Sequence, residues 1–82
     1  MPTTKEDIRK WLERGHIKGA THVIVICDTF DHGDFPVLVM PGEDPKKIVK
    51  DRDGVNMERV MEVYNLSLDD EEQLAERRVW NY

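Results

Sequence analysis

Four side chains in a short polar stretch form the densest set of potential metal ligands in the chain. Three carboxylates and one imidazole fall within seven consecutive residues: Asp28, Asp31, His32 and Asp34. Carboxylate oxygens and imidazole nitrogens are groups that bind divalent cations in proteins. Their spacing matches no established ligand pattern, and Asp and Gly also favour turns for conformational reasons. Turn formation is therefore the favoured interpretation, a metal or small-ligand site is the alternative, and no cofactor is predicted.

The single cysteine, Cys27, could act as a nucleophile only beside a base that takes its proton. His22 lies at an odd separation from Cys27, which places the two side chains on opposite faces of a regular strand. His32 would approach the thiol only if its loop folded back over the strand. We expect a buried, unactivated thiol, so an enzyme is the least supported hypothesis and no catalytic residue is assigned.

A run of acidic residues and an aromatic tail are the candidate contact surfaces of the C-terminal region. Acidic side chains at a helix start interact favourably with the helix dipole, which explains this run without any partner. The same run could instead contact a basic partner. Exposed aromatic rings mark contact surfaces, and packing of these rings into the core is the equally weighted alternative. The residues concerned are Asp69, Asp70, Glu71 and Glu72 in the run, and Trp80 and Tyr82 in the tail.

Two runs rich in β-branched residues, 21–30 and 35–40, must position the polar stretch between them. Val and Ile favour strands, and the intervening residues 31–34 include Gly, so the sequence predicts a β-hairpin with a four-residue loop. Residues 23–27 are apolar at every position rather than at alternate positions. This pattern predicts a first strand covered on both faces, which restricts any activity to the surface.

Helix signals flank the hairpin on both sides. Thr3 and Glu6 have the spacing of a capping box, apolar residues follow at helical spacing, and Gly15 is expected to end this helix. Ile17 is expected to fold back as the hydrophobic contact of that helix end. Asp44-Pro45 predicts the start of a second helix, with Asp as N-cap and Pro as the first helical residue.

Residues 56–68 are compatible with two structures. Apolar residues recur at helical spacing and favour a helix, whereas Val60–Leu66 also suits the third strand that an isolated hairpin needs. We favour the helix. Ser67 with Asp70 then predicts the start of a final helix that extends to Val79. The predicted fold of residues 1–82 is a single small α+β domain: an antiparallel hairpin or three-stranded sheet packed by an N-terminal helix and C-terminal helices.

The composition narrows the class of protein. The 82 residues carry a net charge of −5, whereas binding to nucleic acid needs an excess of Lys and Arg. No apolar run approaches the roughly 20 residues that span a bilayer. A lone cysteine cannot form an internal disulfide and suits a reducing compartment, so we expect a cytoplasmic protein. A chain of this length buries a limited core, and a homodimer that adds burial is a further expectation.

Three stretches carry a resemblance to a known group: CDTFDHGDFPVLVMPGED (27–44), MERVMEVYNL (57–66) and QLAERRVWNY (73–82). Together they resemble small uncharacterised proteins found in bacteriophages and in bacteria that carry prophages. The resemblance covers most of the chain from about Gly19 onward. It implies a bacterial or phage-infected cytoplasm and an accessory role during infection, and it supplies no activity and no functional residue.

The sequence therefore predicts a non-catalytic protein-interaction module that contacts an unidentified protein partner through the acidic run and the aromatic tail. Nucleic acid and membranes are not expected partners. The alternative is a metal- or small-ligand-binding domain centred on the hairpin loop, residues 28–34.

Overall fold

The computed structural model describes residues 3–82, which form three helices and one three-stranded antiparallel sheet. In chain order the elements are α1 (Lys5–Lys18), β1 (His22–Asp28), β2 (Gly33–Val39), α2 (Pro45–Arg52), β3 (Glu58–Asn65) and α3 (Asp70–Ala75). The strand order is β2-β1-β3, so β1 is central. The predicted α+β class and the predicted hairpin are confirmed, but the four-residue loop is 29–32 rather than 31–34, because both Asp28 and Gly33 still pair across the hairpin.

Both faces of β1 are covered, as its unbroken apolar run predicts. Val23 and Val25 belong to one hydrophobic cluster with side chains of α1 and α3. Ile24 and Ile26 point to the opposite face and pack with Val49 of α2. Alternate side chains of a strand point to opposite faces, so a strand between two helical layers is apolar at every position.

The start of α1 lies one residue later than the sequence predicts. The Thr4 hydroxyl accepts a hydrogen bond from the Asp7 N–H at 3.2 Å, and the Asp7 carboxylate accepts one from the Thr4 N–H at 3.1 Å. This reciprocal pair is a capping box in which Asp replaces the usual Glu. The box predicted for Thr3 and Glu6 is therefore wrong by one position.

The end of α1 is also later than predicted, because Gly15 lies inside the helix rather than at its end. A Cβ atom at Gly15 would lie 2.8 Å from Leu66 Cδ1, so the glycine allows α1 to approach the sheet closely. The helix ends at Gly19, whose φ of +76° is the left-handed conformation that glycine adopts readily. Ile17 is 80% exposed and does not fold back.

The prediction for α2 is confirmed. Asp44 is its N-cap, with the carboxylate accepting from the Lys46 N–H at 3.0 Å, and Pro45 is its first residue. Among residues 3–82, no helix combines the length and the apolar composition that crossing a membrane requires.

β3 stands where the sequence favoured a helix. It pairs antiparallel with β1, with Tyr64 opposite Val23. A turn in which both Asn56 and Met57 have left-handed backbones, with φ of 53° and 61°, leads into the strand. The preference for a helix over residues 56–68 is therefore wrong, and the alternative of a third strand is correct.

A β-bulge explains why β3 mimics a helix in sequence. The register between β1 and β3 shifts by one residue opposite Val25 and Ile26. The extra residue in β3 brings Val60 and Val63 to the same face, where both pack in the α2 cluster. Two same-face residues are then three positions apart, which is a helical spacing that arises inside a strand.

α3 is shorter than predicted and has a different cap. Its N-cap is Asp69, whose carboxylate accepts from the Glu72 N–H at 2.9 Å, so the cap predicted for Ser67 and Asp70 is wrong. The helix ends at Ala75, and Val79 lies beyond it in extended chain. This extended chain makes the contacts on which the candidate site depends.

Candidate functional site

The hairpin loop uses its acidic residues to form turns. Asp28 Oδ1 accepts from the Phe30 N–H at 2.8 Å, and Asp31 Oδ1 accepts from the Gly33 N–H at 2.9 Å. His32 is exposed and has a left-handed backbone with φ of 60°. Across residues 3–82, no three His, Cys, Asp or Glu side chains converge as metal ligands would. The geometry of the loop thus gives the metal-site hypothesis no support.

Cys27 lies near this loop and is half-buried rather than buried as the sequence predicts. Burial, and then the neighbouring Asp34, raise the pKa of the Cys27 thiol. Its Sγ contacts the carbonyl oxygen of Asp28 at 3.7 Å, whereas His22 Nδ1 bonds to the Thr21 hydroxyl at 2.9 Å. Within residues 3–82 no histidine is hydrogen-bonded to the thiol.

The acidic run of α3 is largely engaged inside the protein. Asp70 Oδ2 lies 2.9 Å from His16 Nε2, and both carboxylate oxygens of Glu71 accept from the Arg9 guanidinium at 2.9 Å. Hydrogen bonds from Arg9 lower the pKa of Glu71. These pairs join α3 to α1, and Asp69 caps α3 itself. The sequence predicts partner contacts for Asp69, Asp70, Glu71 and Glu72. Within residues 3–82, only the Glu72 side chain forms neither an ion pair with α1 nor a capping hydrogen bond.

The last residues of the chain form a short parallel bridge on the outer edge of β3. The Val63 N–H donates to the Val79 carbonyl at 3.0 Å, and the Asn81 N–H donates to the Val63 carbonyl at 2.9 Å. The Val79 side chain is fully buried in the α1–α3 cluster. We call residues 77–82 the C-terminal segment.

A half-buried carboxylate, that of Glu62, supports this bridge from the sheet. Glu62 Oε2 accepts from the Val79 N–H at 3.2 Å, and Glu62 Oε1 accepts from the Tyr64 hydroxyl at 3.0 Å. Burial, and then Glu62, raise the pKa of Tyr64 well above its usual value. The phenol therefore stays protonated and remains a donor.

Gln73 joins α3, β3 and the C-terminal segment, a role that no sequence pattern indicates. Its side-chain oxygen accepts from the Asn65 N–H at 2.9 Å and from the Asn81 side-chain amide at 3.1 Å. Its side-chain nitrogen donates to the Asn65 carbonyl at 2.8 Å. The residue is 2% exposed, whereas a Gln in a short polar helix is usually at the surface.

Two aromatic rings remain half-exposed on the fixed segment. Trp80 is 39% exposed and Tyr82 is 40% exposed, and their rings meet edge to face with centroids 6.3 Å apart. The Arg78 guanidinium lies 5.5 Å from the centre of the Trp80 ring, and Lys46 Nζ lies 5.5 Å from the centre of the Tyr82 ring. We call these four side chains the aromatic surface. The rings are neither core nor free tail.

A groove of about 660 Å³ lies between the start of α1, the end of the sheet and the start of the C-terminal segment. Its apolar wall comes from Ile8, Val25 and Met61. Four cationic side chains and two acidic ones also line it: Lys5, Arg59, Arg77 and Arg78, with Asp34 and Glu62. We call this site the basic groove.

The cations of the basic groove are largely uncompensated. Among the ion pairs within residues 3–82, none involves Arg59, Arg77 or Arg78. The sequence did not reveal this groove, because its cations come from three separate parts of a chain whose net charge is negative. Val25 reaches the groove although it is almost fully buried, so one end of the covered strand borders a surface site.

Comparison with protein-family models, with curated proteins and with solved structures gives no match. The resemblance to small phage and prophage proteins therefore stays a prediction.

Proposed function

We propose that the protein is a non-catalytic interaction module that binds a partner protein through the aromatic surface, Lys46, Arg78, Trp80 and Tyr82. The observation that carries this proposal is that both rings are held on a hydrogen-bonded backbone and are still about 40% exposed. From the sequence resemblance alone, we also propose an accessory role for a phage in the bacterial cytoplasm.

Preorganisation supports this choice of surface. Ordering a residue of a flexible tail costs about 1–2 kcal/mol of backbone conformational entropy. In this protein the bridge to Val63 and the burial of Val79 already order the segment when the chain folds. A partner therefore binds rings whose backbone is fixed before binding. Trp, Tyr and Arg are also the residue types most enriched among the side chains that dominate interface energies.

Charge defines the chemistry of the partner. Each ring of the aromatic surface is accompanied by one cation, Arg78 or Lys46. Neither cation has an ion-pair partner within residues 3–82. A carboxylate from a partner would pair with either cation, while an apolar group beside it would cover a ring. We therefore propose a partner that presents an acidic segment containing apolar side chains.

The test places a photo-crosslinking amino acid at position 80 and, as a control, at Ile17, which is 80% exposed on α1. Crosslinking in the cells that express the protein identifies the partner, which is then purified and titrated against the protein. We expect Trp80→Ala to raise the dissociation constant at least 30-fold, which is a loss of about 2 kcal/mol of binding free energy. Ile17→Ala is expected to change it less than about two-fold.

Equal crosslinking at positions 17 and 80, or an unchanged dissociation constant for Trp80→Ala, would contradict the proposal. If Trp80→Ala disturbs the fold, Lys46→Glu gives the same comparison, because the Lys46 side chain is exposed, lies over the Tyr82 ring and does not line the basic groove.

A further inference from the structure

We propose that the basic groove is the docking site for the hairpin loop of a second copy of this chain, and that the two copies form a two-fold symmetric dimer. This inference concerns a different site from the aromatic surface, although Arg78 borders both. It therefore does not depend on the partner proposed above.

The groove defines the chemistry of its occupant. Ile8, Val25 and Met61 offer an apolar wall, and the guanidinium groups of Arg59 and Arg77 have no ion-pair partner within residues 3–82. An apolar wall with unpaired cations at its border suits an apolar side chain flanked by carboxylates. An arginine that pairs with a carboxylate in a partly desolvated groove contributes more than the same pair in open water.

The hairpin loop of the same chain has this chemistry. Phe30 is 76% exposed, and it stands between Asp28 and Asp31. The hydrogen bond from the Phe30 N–H to Asp28 Oδ1, at 2.8 Å, fixes the backbone that carries the ring. A large apolar side chain held out from the protein is a typical interface anchor, and its rigid backbone lowers the entropy cost of docking.

The arrangement of the two sites fits a two-fold contact. Asp34 lines the groove, and it lies in β2 just after the loop, directly opposite Cys27. The acidic loop and the basic groove are therefore neighbours on one end of the molecule. In a two-fold dimer, site i of one copy meets site j of the other while j meets i, so adjacent sites of opposite charge are self-complementary.

Mass measurement tests the dimer on the full chain. One copy has a mass of 9.6 kDa, and sedimentation equilibrium from about 1 µM to 1 mM covers the usual range of dimer dissociation constants. We expect the wild-type protein to double its mass within this range. Phe30→Ala is expected to weaken the dimer at least ten-fold, and Ile17→Ala, which removes an equally exposed apolar side chain from α1, is expected to leave it unchanged.

A charge exchange tests the contact itself. Asp31→Arg and Arg77→Asp each place like charges together in both halves of a symmetric dimer, so each variant alone is expected to stay a monomer. An equal mixture of the two restores both opposite-charge contacts and is expected to dimerise. Amide spectra of each variant check that the loop and the groove keep their structure.

A wild-type protein that stays a monomer up to about 1 mM overturns the proposal. A dimer that Phe30→Ala does not weaken, or that the mixed variants do not restore, overturns it too. A titration with phenylacetate, a carboxylate on an aromatic body, follows amide shifts at Arg59 and Met61 in parallel. Shifts there together with a monomeric mass would assign the groove to a small organic acid and also overturn the dimer.

Discussion

The Gln73 side chain hydrogen-bonds two backbone groups of β3 and one side-chain amide of the C-terminal segment. Its amide group bonds both the N–H and the carbonyl of Asn65 on the edge of β3 and also reaches Asn81. A buried backbone group without a partner loses its contacts with water and gains nothing in return, at a cost of about 1–3 kcal/mol. Gln73 therefore contributes to stability through the hydrogen bonds that its amide makes rather than through the volume of its side chain.

Replacement of Gln73 by Leu is expected to lower the free energy of unfolding by about 2–4 kcal/mol, because it leaves two partly buried backbone groups of Asn65 unpaired. Urea denaturation followed by circular dichroism measures this change. Glu72→Leu alters the neighbouring exposed side chain and is expected to change stability by no more than about 0.5 kcal/mol. A loss below 1 kcal/mol for Gln73→Leu would show that water replaces its hydrogen bonds.

His22 makes the stability depend on pH. Burial lowers the pKa of His22, whose Nε2 has no hydrogen-bond partner within residues 3–82. In the unfolded chain a histidine has a pKa near 6.5, so below that value the unfolded state binds more protons than the folded state. The contribution of neutral His22 to the free energy of unfolding is therefore fully present above a pH of about 6.5, and it is lost as the pH falls below that value.

We expect the free energy of unfolding to decrease between pH of about 7.5 and 5 and His22→Gln to remove part of that decrease. Urea denaturation at a series of pH values measures the slope of the free energy of unfolding against pH for the wild type and for His22→Gln. His32→Gln is the matched control, because His32 is exposed in the hairpin loop and should leave the slope unchanged. Identical slopes for the wild type and His22→Gln would mean that His22 is protonated equally easily in both states.

At the scale of elements, local composition predicts the hairpin well and β3 poorly. β1 is apolar at every position because it is covered on both faces, so its type and burial follow from a short window of sequence. The bulge in β3 gives Val60 and Val63 a helical spacing, and only pairing with β1 decides that the segment is a strand. The spacing of apolar residues within one segment does not show which distant segment it pairs with.

The same limit explains which functional features the sequence revealed. Trp80 and Tyr82 were identifiable as candidate contact residues by type, but their fixation depends on Val63, which is distant in the chain. The basic groove was not identifiable, because Arg59 and Arg77 are brought together by folding. The acidic run was identifiable, yet its pairing with α1 could not be foreseen from α3 alone.

The turn before β3 contains a conformational cost that a substitution can relieve. Met57 has a φ of 61°, is 56% exposed, and belongs to a residue type that rarely adopts the left-handed region. Met57→Gly is expected to raise the free energy of unfolding by up to about 1 kcal/mol, because glycine adopts this backbone without strain. Thermal denaturation measures the gain. Val55→Gly changes an exposed residue outside the left-handed region and is expected to give no gain in the free energy of unfolding. A decrease in that free energy for Met57→Gly would contradict the inference that the Met57 backbone is strained.

At the scale of the whole molecule, the exposed edges of the sheet are protected from uncontrolled pairing. On β3 the Val60 N–H donates to Asp53 at 3.0 Å and the Asn65 N–H donates to Gln73, with the C-terminal segment bridged between them. On β2, Pro36 has no N–H to offer. These features make pairing with a further strand less favourable, and the aromatic surface and the basic groove are both formed by side chains.

Both proposals require the end of the chain to be part of the folded domain. The C-terminal segment presents Trp80 and Tyr82 and contributes Arg77 and Arg78 to the groove. A mobile tail would lose both sites at once, although α1 and the three strands could still fold around the same core. Both sites therefore depend on the docking of this segment on β3.

Hydrogen exchange of the Asn81 amide measures this docking, because its N–H donates to the Val63 carbonyl at 2.9 Å. We expect Asn81 to exchange at least about 100-fold more slowly than an unstructured chain, while the Tyr82 amide, which has no hydrogen bond within residues 3–82, exchanges fast. Exchange of Asn81 at the unstructured rate, with β1 amides still protected, would mean that the C-terminal segment is not docked on β3.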